Sequence, residues 1–423
     1  MELKKLFCFV MIAAFASIML PGCGAKGKTA DAGKTGQSIS FWNVFTGSDG
    51  EILREIVDKY NTNNARGVVI RMDIMPGDQL AQKLPAAIST GTAPELVLYG
   101  IENMADYVKT GSLEPVDDFW EKTGADKSDI MDYVLQYSYI NGVQYGTPMQ
   151  YNVSMLYWNK DLFSAAGLDP DKAPATMDDL ASYAAALTNP SKNQYGLGLA
   201  ADAVFFNAQW LWANGGDILD LKTETNKLAS KENLETLGWL QDLVINKKVS
   251  PENASVTELD PLFQNGSLAM LVSGPWQING LKSLGINFGV GAIPKGKVNQ
   301  NAVTGGCNYV IPKGTSLEGK EAAYDFMAHW LTQDVLLTWS QRCGFPAWSK
   351  KLMSGEALKN DKILSDVTEA TRIGRNYNIG YPKAKQMDYD VLQPMFEKLF
   401  AGAASPEKVL EEAVKALDAV IAQ

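Results

Sequence analysis

The chain carries one histidine, His329, and that count removes a large part of enzyme chemistry. Ser-His-Asp triads, Cys-His dyads and histidine-rich metal sites all need an imidazole beside a partner. His329 sits in AAYDFMAHWL, which reads as a structural helix, so a ferric site built on Tyr and His is disfavoured too. Carboxylates are plentiful, with 48 Asp and Glu, and the sequence leaves open a glycosidase-like acid pair about 5–10 Å apart. Cys307 and Cys343 read as small buried thiols, with a disulfide as the alternative. No metal or cofactor is expected. Among ten tryptophans, Trp276 stands out. In Gly274-Pro275-Trp276 it follows a strand end and a rigid turn, which aims an indole outward where α/β proteins bind ligands. Thr46, Ser48 and Asp49 precede a helix, where hydroxyls and amides can meet ligand oxygens; helix capping by Ser48 or Asp49 is the plainer reading. Trp42 reads as an indole buried under that loop.

The elements around these residues alternate between strand and helix. Ile39–Trp42 is strand-like, Asn43–Gly50 is turn-rich, and Ile52, Leu53, Ile56, Val57 and Tyr60 recur at helical spacing. Val68–Ile74 and Glu95–Tyr99 read as further strands, an order that implies parallel α/β layering. The same grammar recurs after residue 150. Ser154–Trp158, Gln194–Leu199 and Leu268–Val272 are expected strands. A capping box at Thr176 and Asp179 opens a helix, Phe205–Asn214 and Lys231–Ile245 are helical, and Ser405 with Pro406 starts a last amphipathic helix. Two lobes of α/β architecture result.

At the N-terminus, Lys4 and Lys5 precede fifteen residues, Leu6–Leu20, without charge or proline. That run has the length of a signal-peptide core and is too short to span a bilayer comfortably. With Leu20-Pro21-Gly22-Cys23 it resembles a bacterial lipoprotein signal, residues 1–22, whose Cys23 becomes the lipidated first residue; an ordinary secretory signal is the alternative. Acyl chains at about 0.8 kcal/mol per buried methylene would then hold the protein at a membrane surface, its only membrane contact. Residues 23–37, rich in Gly, Lys, Thr and Ala, read as a flexible tether. Loss of Lys4, Lys5 and Glu2 leaves 36 basic against 47 acidic residues, a poor surface for nucleic acid.

Several segments together resemble the extracellular solute-binding proteins of ABC importers, the family that includes maltose-binding protein. They are Ile39–Tyr60; Gly91-Thr92-Ala93-Pro94-Glu95-Leu96-Val97; Tyr145-Gly146-Thr147-Pro148 followed by Leu156–Phe163; and Ala166-Gly167-Leu168 leading to Pro174-Ala175-Thr176. Leu268-Ala269-Met270 to Gly274-Pro275-Trp276, Gly319–Trp330 and Cys343–Pro346 complete the order. The resemblance implies a two-lobed α/β periplasmic-binding-protein fold of type II, with hinge-linked discontinuous lobes. One lobe would take residues 38–149 and about 305–346, the other 150–304 and about 347–423, the chain crossing near Gln150, Thr304 and Pro346. It also implies a monomer, no catalysis, permease subunits as partners, and a ligand held between the lobes, most simply a sugar or oligosaccharide.

Sugars need flat aromatic faces with carboxylates and amides around them. In this family Trp276 matches a stacking position, and Tyr99, Glu102 and Asn103 match an aromatic and polar contacts. Gln150 and Tyr151 at the first crossing, Phe206 and Trp210 before Gly215-Gly216, Gly306 and Asn308 at the second crossing, and Tyr389 near the end complete the expected ligand set with Thr46 and Asp49. Arg375, were it in the cleft, would favour an anionic ligand. Glycerol 3-phosphate is an alternative ligand, but the loops 43–50 and 99–103 contain no Arg or Lys. A polyamine is another, since Asp49 and Glu102 among aromatics suit an ammonium group. A secreted glycosidase and a purely structural surface protein are the rivals from other classes.

Overall fold

A computed structural model describes residues 36–377 and 380–423. The expected signal segment 1–22, Cys23 and all but the end of the expected tether lie outside the described residues.

The first sheet is built from β1 (Ser38–Asn43), β2 (Val69–Ile74) and β3 (Leu96–Gly100), all parallel, with β1 in the middle. β1 alternates half-buried and buried residues, as a strand with one face on a core must. Helix α1 (Ser48–Asn63) links β1 to β2 and buries Ile52, Leu53, Ile56, Val57 and Tyr60, the stripe visible in the sequence. Two long strands extend this sheet. β4 (Gly146–Val153) runs antiparallel to a later strand, Ala302–Val310, which itself runs antiparallel to β3.

The second sheet has three strands: β5 (Met155–Asn159) lies between β6 (Met270–Ser273) and β7 (Phe288–Gly291), antiparallel to both. Here the expectation of parallel layering needs correction. Gln194–Leu199 is not a regular strand either. Tyr195 and Gly198 make single parallel bridges to Leu268 and Leu271, while the Leu197 amide turns to the Val249 carbonyl at 3.0 Å. The ladder is divided between two partners, so no continuous strand forms.

Calling Ala302–Val310 β8 and Gly374–Asn376 β9, the first sheet reads β9-β8-β3-β1-β2, with β4 also on β8. Two large hydrophobic cores meet along β4 and β8, one packing on each end of these strands. Met149 and Tyr151 belong to the first core and Val153 to the second. Tyr309 and Val310 pack in the first, Ala302 and Val303 in the second. The chain passes once more between Trp348 and Val367. The expected caps are present: Thr176 and Asp179 form a reciprocal capping box, and Ser405 caps the helix Pro406–Ile421. Among the described residues, no helix is long and apolar enough to cross a membrane.

Candidate functional site

Strand register brings chemistry to one end of the first sheet. Gly100 of β3 lies opposite Cys307 of β8, and Cys307 lies opposite Gln150 of β4. Directly opposed residues share a face, so the three form a row across three strands. Gly100 has no side chain, and Glu102 folds back into that space: a Cβ on residue 100 would stand 2.1 Å from Glu102 Oε1. The row therefore reads carboxylate, thiol, amide. Gln150 Nε2 faces Cys307 Sγ at 3.9 Å, and Gln150 Oε1 is buried without a partner. Asn103 Nδ2 donates to Glu102 Oε1 at 2.7 Å, and its own Oδ1 is likewise buried and unpaired.

Asp49 enters from the first turn of α1, where an acid complements the free amides of a helix start. Gly50 N donates to Asp49 Oδ1 at 2.9 Å, and Gly47 is the cap residue, without a side-chain cap from Ser48. Thr46 is exposed beside it. Burial raises the Asp49 pKa above its ordinary value despite these amides. Burial also raises that of Glu102: the residue stays open to water, but protein surrounds its carboxyl, and its own amide and Lys385 only partly offset the effect. The Cys307 thiol is pushed well above its usual range, first by burial and then by the charges of Glu102 and Asp49. Asp49 also acts on Cys343, whose pKa burial raises most. Both thiols are free.

Strand β6, whose Met270, Leu271 and Val272 lie in the second core, leads into the Gly274-Pro275-Trp276 turn. Trp276 is 47% exposed, just after β6. Its indole folds over Gly274, where a Cβ would meet Cζ3 at 2.1 Å, and Tyr157 OH donates to the Gly274 carbonyl at 2.7 Å, pinning the turn. Next in sequence, Ile278 packs against Gly344, directly after Cys343; a Cβ on Gly344 would lie 2.9 Å from Ile278 Cβ. Lys385, whose field reaches Glu102, lies four residues before Tyr389, which is 68% exposed.

Other expected site residues lie elsewhere. Tyr99, Asn308 and Tyr151 occupy the other face of the same strands, because side chains alternate with period two. Tyr99 is buried edge-on against Tyr107, with ring centroids 4.8 Å apart. Asn308 is buried, its Nδ2 donating to the Tyr137 carbonyl at 3.0 Å. Tyr151 is buried between Tyr133 and Tyr137. Gly306 shares their face and allows close approach to β4, since a Cβ there would stand 2.4 Å from the Gln150 carbonyl oxygen. Phe206 and Trp210 sit in the second core, Trp210 against Trp239. Arg375 is engaged, pairing with Asp217 at 2.7 Å and lying over the Trp212 ring. Trp42 is half-buried against the first core. Cys307 and Lys385 were not singled out as site residues in the sequence. The alternation through Gly305, Cys307 and Tyr309 was the available signal for Cys307; nothing local marks Lys385.

A separate cavity of about 360 Å³ is lined by Arg66, Lys122, Glu321 and Asp325. It lies beyond the far end of α1, whose 16 residues put it roughly 24 Å from Asp49. Its charges are already paired, Arg66 near Glu321 and Asp325 and Lys122 with Asp118. Among the described residues, no group of three or more His, Cys, Asp or Glu could hold a metal.

Comparison with known proteins gives a consistent result. The family model of the bacterial extracellular solute-binding proteins matches residues 55–365. A putative binding protein of Brucella abortus (strain 2308) is 26% identical over 406 residues, 94% of this chain and 95% of that protein. The GacH receptor of Streptomyces glaucescens GLA.O, described unliganded and with acarbose, superposes with TM-score 0.81 at 19% identity, over 92% of this chain and 100% of that one. UgpB of Mycobacterium tuberculosis, in complex with glycerophosphocholine, gives TM-score 0.80 at 21% identity, over 91% and 98%. These likenesses show the fold: a two-lobed α/β, maltose-binding-like type II architecture.

Proposed function

The chain belongs to the bacterial extracellular solute-binding protein family, and from that premise we propose that it is the substrate-binding subunit of an ABC importer for a sugar or oligosaccharide. What supports the ligand class is the exposed Trp276 indole, just after a strand of the second core, taken together with the Glu102–Cys307–Gln150 row and Asp49 on the first sheet. An apolar face opposite a set of hydrogen-bonding groups suits a sugar ring and its hydroxyls. Thr46, Asn103 and Tyr389 border the same space in this reading.

The lobes are read as 38–149 with about 305–346, and 150–304 with about 347–423. β4 and β8 serve as the hinge, since both cores pack on them. Capture proceeds by closure about these strands, held closed by contacts made only when both lobes touch ligand. The closed form is delivered to the permease, and the protein performs no chemistry. Cys23 carries the lipid that anchors a monomer outside the cytoplasm.

A glycerophosphate ligand has support from the likeness to UgpB, but a phosphate calls for converging Arg and Lys. Arg375 is held by Asp217, and the charge of Lys385 already acts on Glu102. A thermal-shift screen of the purified protein against mono- and oligosaccharides, glycerol 3-phosphate and spermidine tests the reading. A ligand at a hundred times its dissociation constant stabilises by about 2.7 kcal/mol, which is several degrees or less at this size. A shift with glycerol 3-phosphate and none with sugars would reject the carbohydrate assignment, and reducing ends released from an oligosaccharide would reveal a glycosidase instead.

A further inference from the structure

The row on the first sheet has a one-sided hydrogen-bonding character. Gln150 is 6% exposed, and the atom it leaves unpaired is Oε1, an acceptor. Asn103 engages its Nδ2 with Glu102 and leaves Oδ1, another acceptor. Glu102 and Asp49 are carboxylates, which accept at about four lone-pair positions each and donate nothing when ionised. The buried side-chain atoms left without any partner here are both acceptor oxygens, and most of the charge is negative. Cys307, between them, is a weak donor.

A buried acceptor without a partner costs the desolvation of that group, and a buried carboxylate costs more. Neutral hydroxyls would satisfy such a site partly. A protonated amine would satisfy it better, because each N–H is a donor, the group needs no acceptor contact back, and hydrogen bonds between charged groups are the strong ones. Lys385 supplies one positive charge opposite Glu102 but stays exposed, and Asp49 has no basic side chain among the influences on it. Burial is the first cause of the raised pKa of both carboxyls, offset for Glu102 in part by Lys385 and for Asp49 only by backbone amides.

We propose that the Glu102–Cys307–Gln150 row, flanked by Asp49, is a subsite for a protonated primary amine on the transported ligand. The inference rests on the carbohydrate reading for its carrier, which makes that ligand an amino sugar; a polyamine carries the same group. Trp276 would stack on the ring while the amine sits at the row.

The test is isothermal titration of the full protein at pH 7 with four probes: a glucosamine disaccharide, its neutral hydroxyl counterpart cellobiose, spermidine, and glycerol 3-phosphate. The expected result is at least about tenfold tighter binding of the amino sugar than of its counterpart, the scale of one charge-assisted hydrogen bond over a neutral one. Glu102→Gln should collapse that ratio towards one, and Asp49→Asn should reduce it, with thermal melting confirming that each variant folds. Equal or weaker binding of the amino sugar overturns the amine subsite and leaves the carbohydrate reading intact. Tight binding of spermidine alone upholds the subsite and overturns the carbohydrate reading. Glycerol 3-phosphate as the tightest probe overturns both.

Discussion

Replacing Trp276 by alanine should weaken sugar binding by one to two orders of magnitude. The magnitude follows from exposure. With 47% of the side chain open, and a tryptophan surface of about 250 Å², roughly 120 Å² of indole is available to a ligand. If a sugar ring covers half to all of it, about 25 cal/mol per Å² gives about 1.5–3 kcal/mol, or roughly 10- to 150-fold in dissociation constant. The same substitution removes the buried half of the side chain, which covers Gly274, so some loss of stability accompanies it. Titration calorimetry at 25 °C on folded protein separates the two effects, since it reads affinity and not melting temperature. Trp276→Phe keeps a flat face and should recover part of the loss; Trp276→Leu keeps apolar bulk without the face and should recover less. A sugar that binds the alanine variant within twofold of the parent would refute the stacking role, whatever the melting temperatures show.

Gly274→Ala tests the same geometry without removing the indole. Its Cβ would stand 2.1 Å from the indole, so the ring must swing away, and sugar affinity should fall several-fold, read by the same calorimetry. Asn308→Ala should leave the Tyr137 carbonyl buried without its donor and lower stability by about 1–3 kcal/mol in urea unfolding, with ligand affinity little changed. Asp388 offers a pH test. Burial raises its pKa from 3.8 to about 6, more than the hydrogen bond from Tyr377 lowers it. Such a group carries no penalty below pH 3.8, where it is protonated folded and unfolded alike, and the full penalty above pH 6. Asp388→Asn should therefore stabilise by about 1–3 kcal/mol at pH 7.5, and the gain should fade on acidification to pH 4. An equal gain at both values would show that the charge is not its source.

The fold was legible where periodicity and caps agree. The stripe of α1, the parallel β1–β2–β3 order and the two capping motifs at Thr176 and Ser405 are all local signals, and each lies where the sequence placed it. The second sheet was not legible, because an antiparallel pairing of β5 with β6 and β7 is decided by partners more than a hundred residues away. The candidate site was legible to the nearest residue and no further. The segments Tyr99–Asn103, Gln150–Tyr151 and Gly306–Asn308 do meet at one end of the sheet. Within a strand, however, a shift of one residue exchanges its two faces. Tyr99, Tyr151 and Asn308 are attractive by side-chain chemistry, yet they point away from the row, while Gly100 and Cys307 complete it. Gly100 contributes by having no side chain, which is how Glu102, two residues later, reaches the row at all. Pattern-matching favours residues with functional groups and passes over the glycine that admits one. β8 alternates without a break through Gly305, Cys307 and Tyr309 and keeps continuous register with β3, but opposite Cys307 and Asn308 the partner β4 carries one extra residue, Met149. That bulge is decided by pairing across strands, so the count along β4 alone could not show which of its residues meets Cys307.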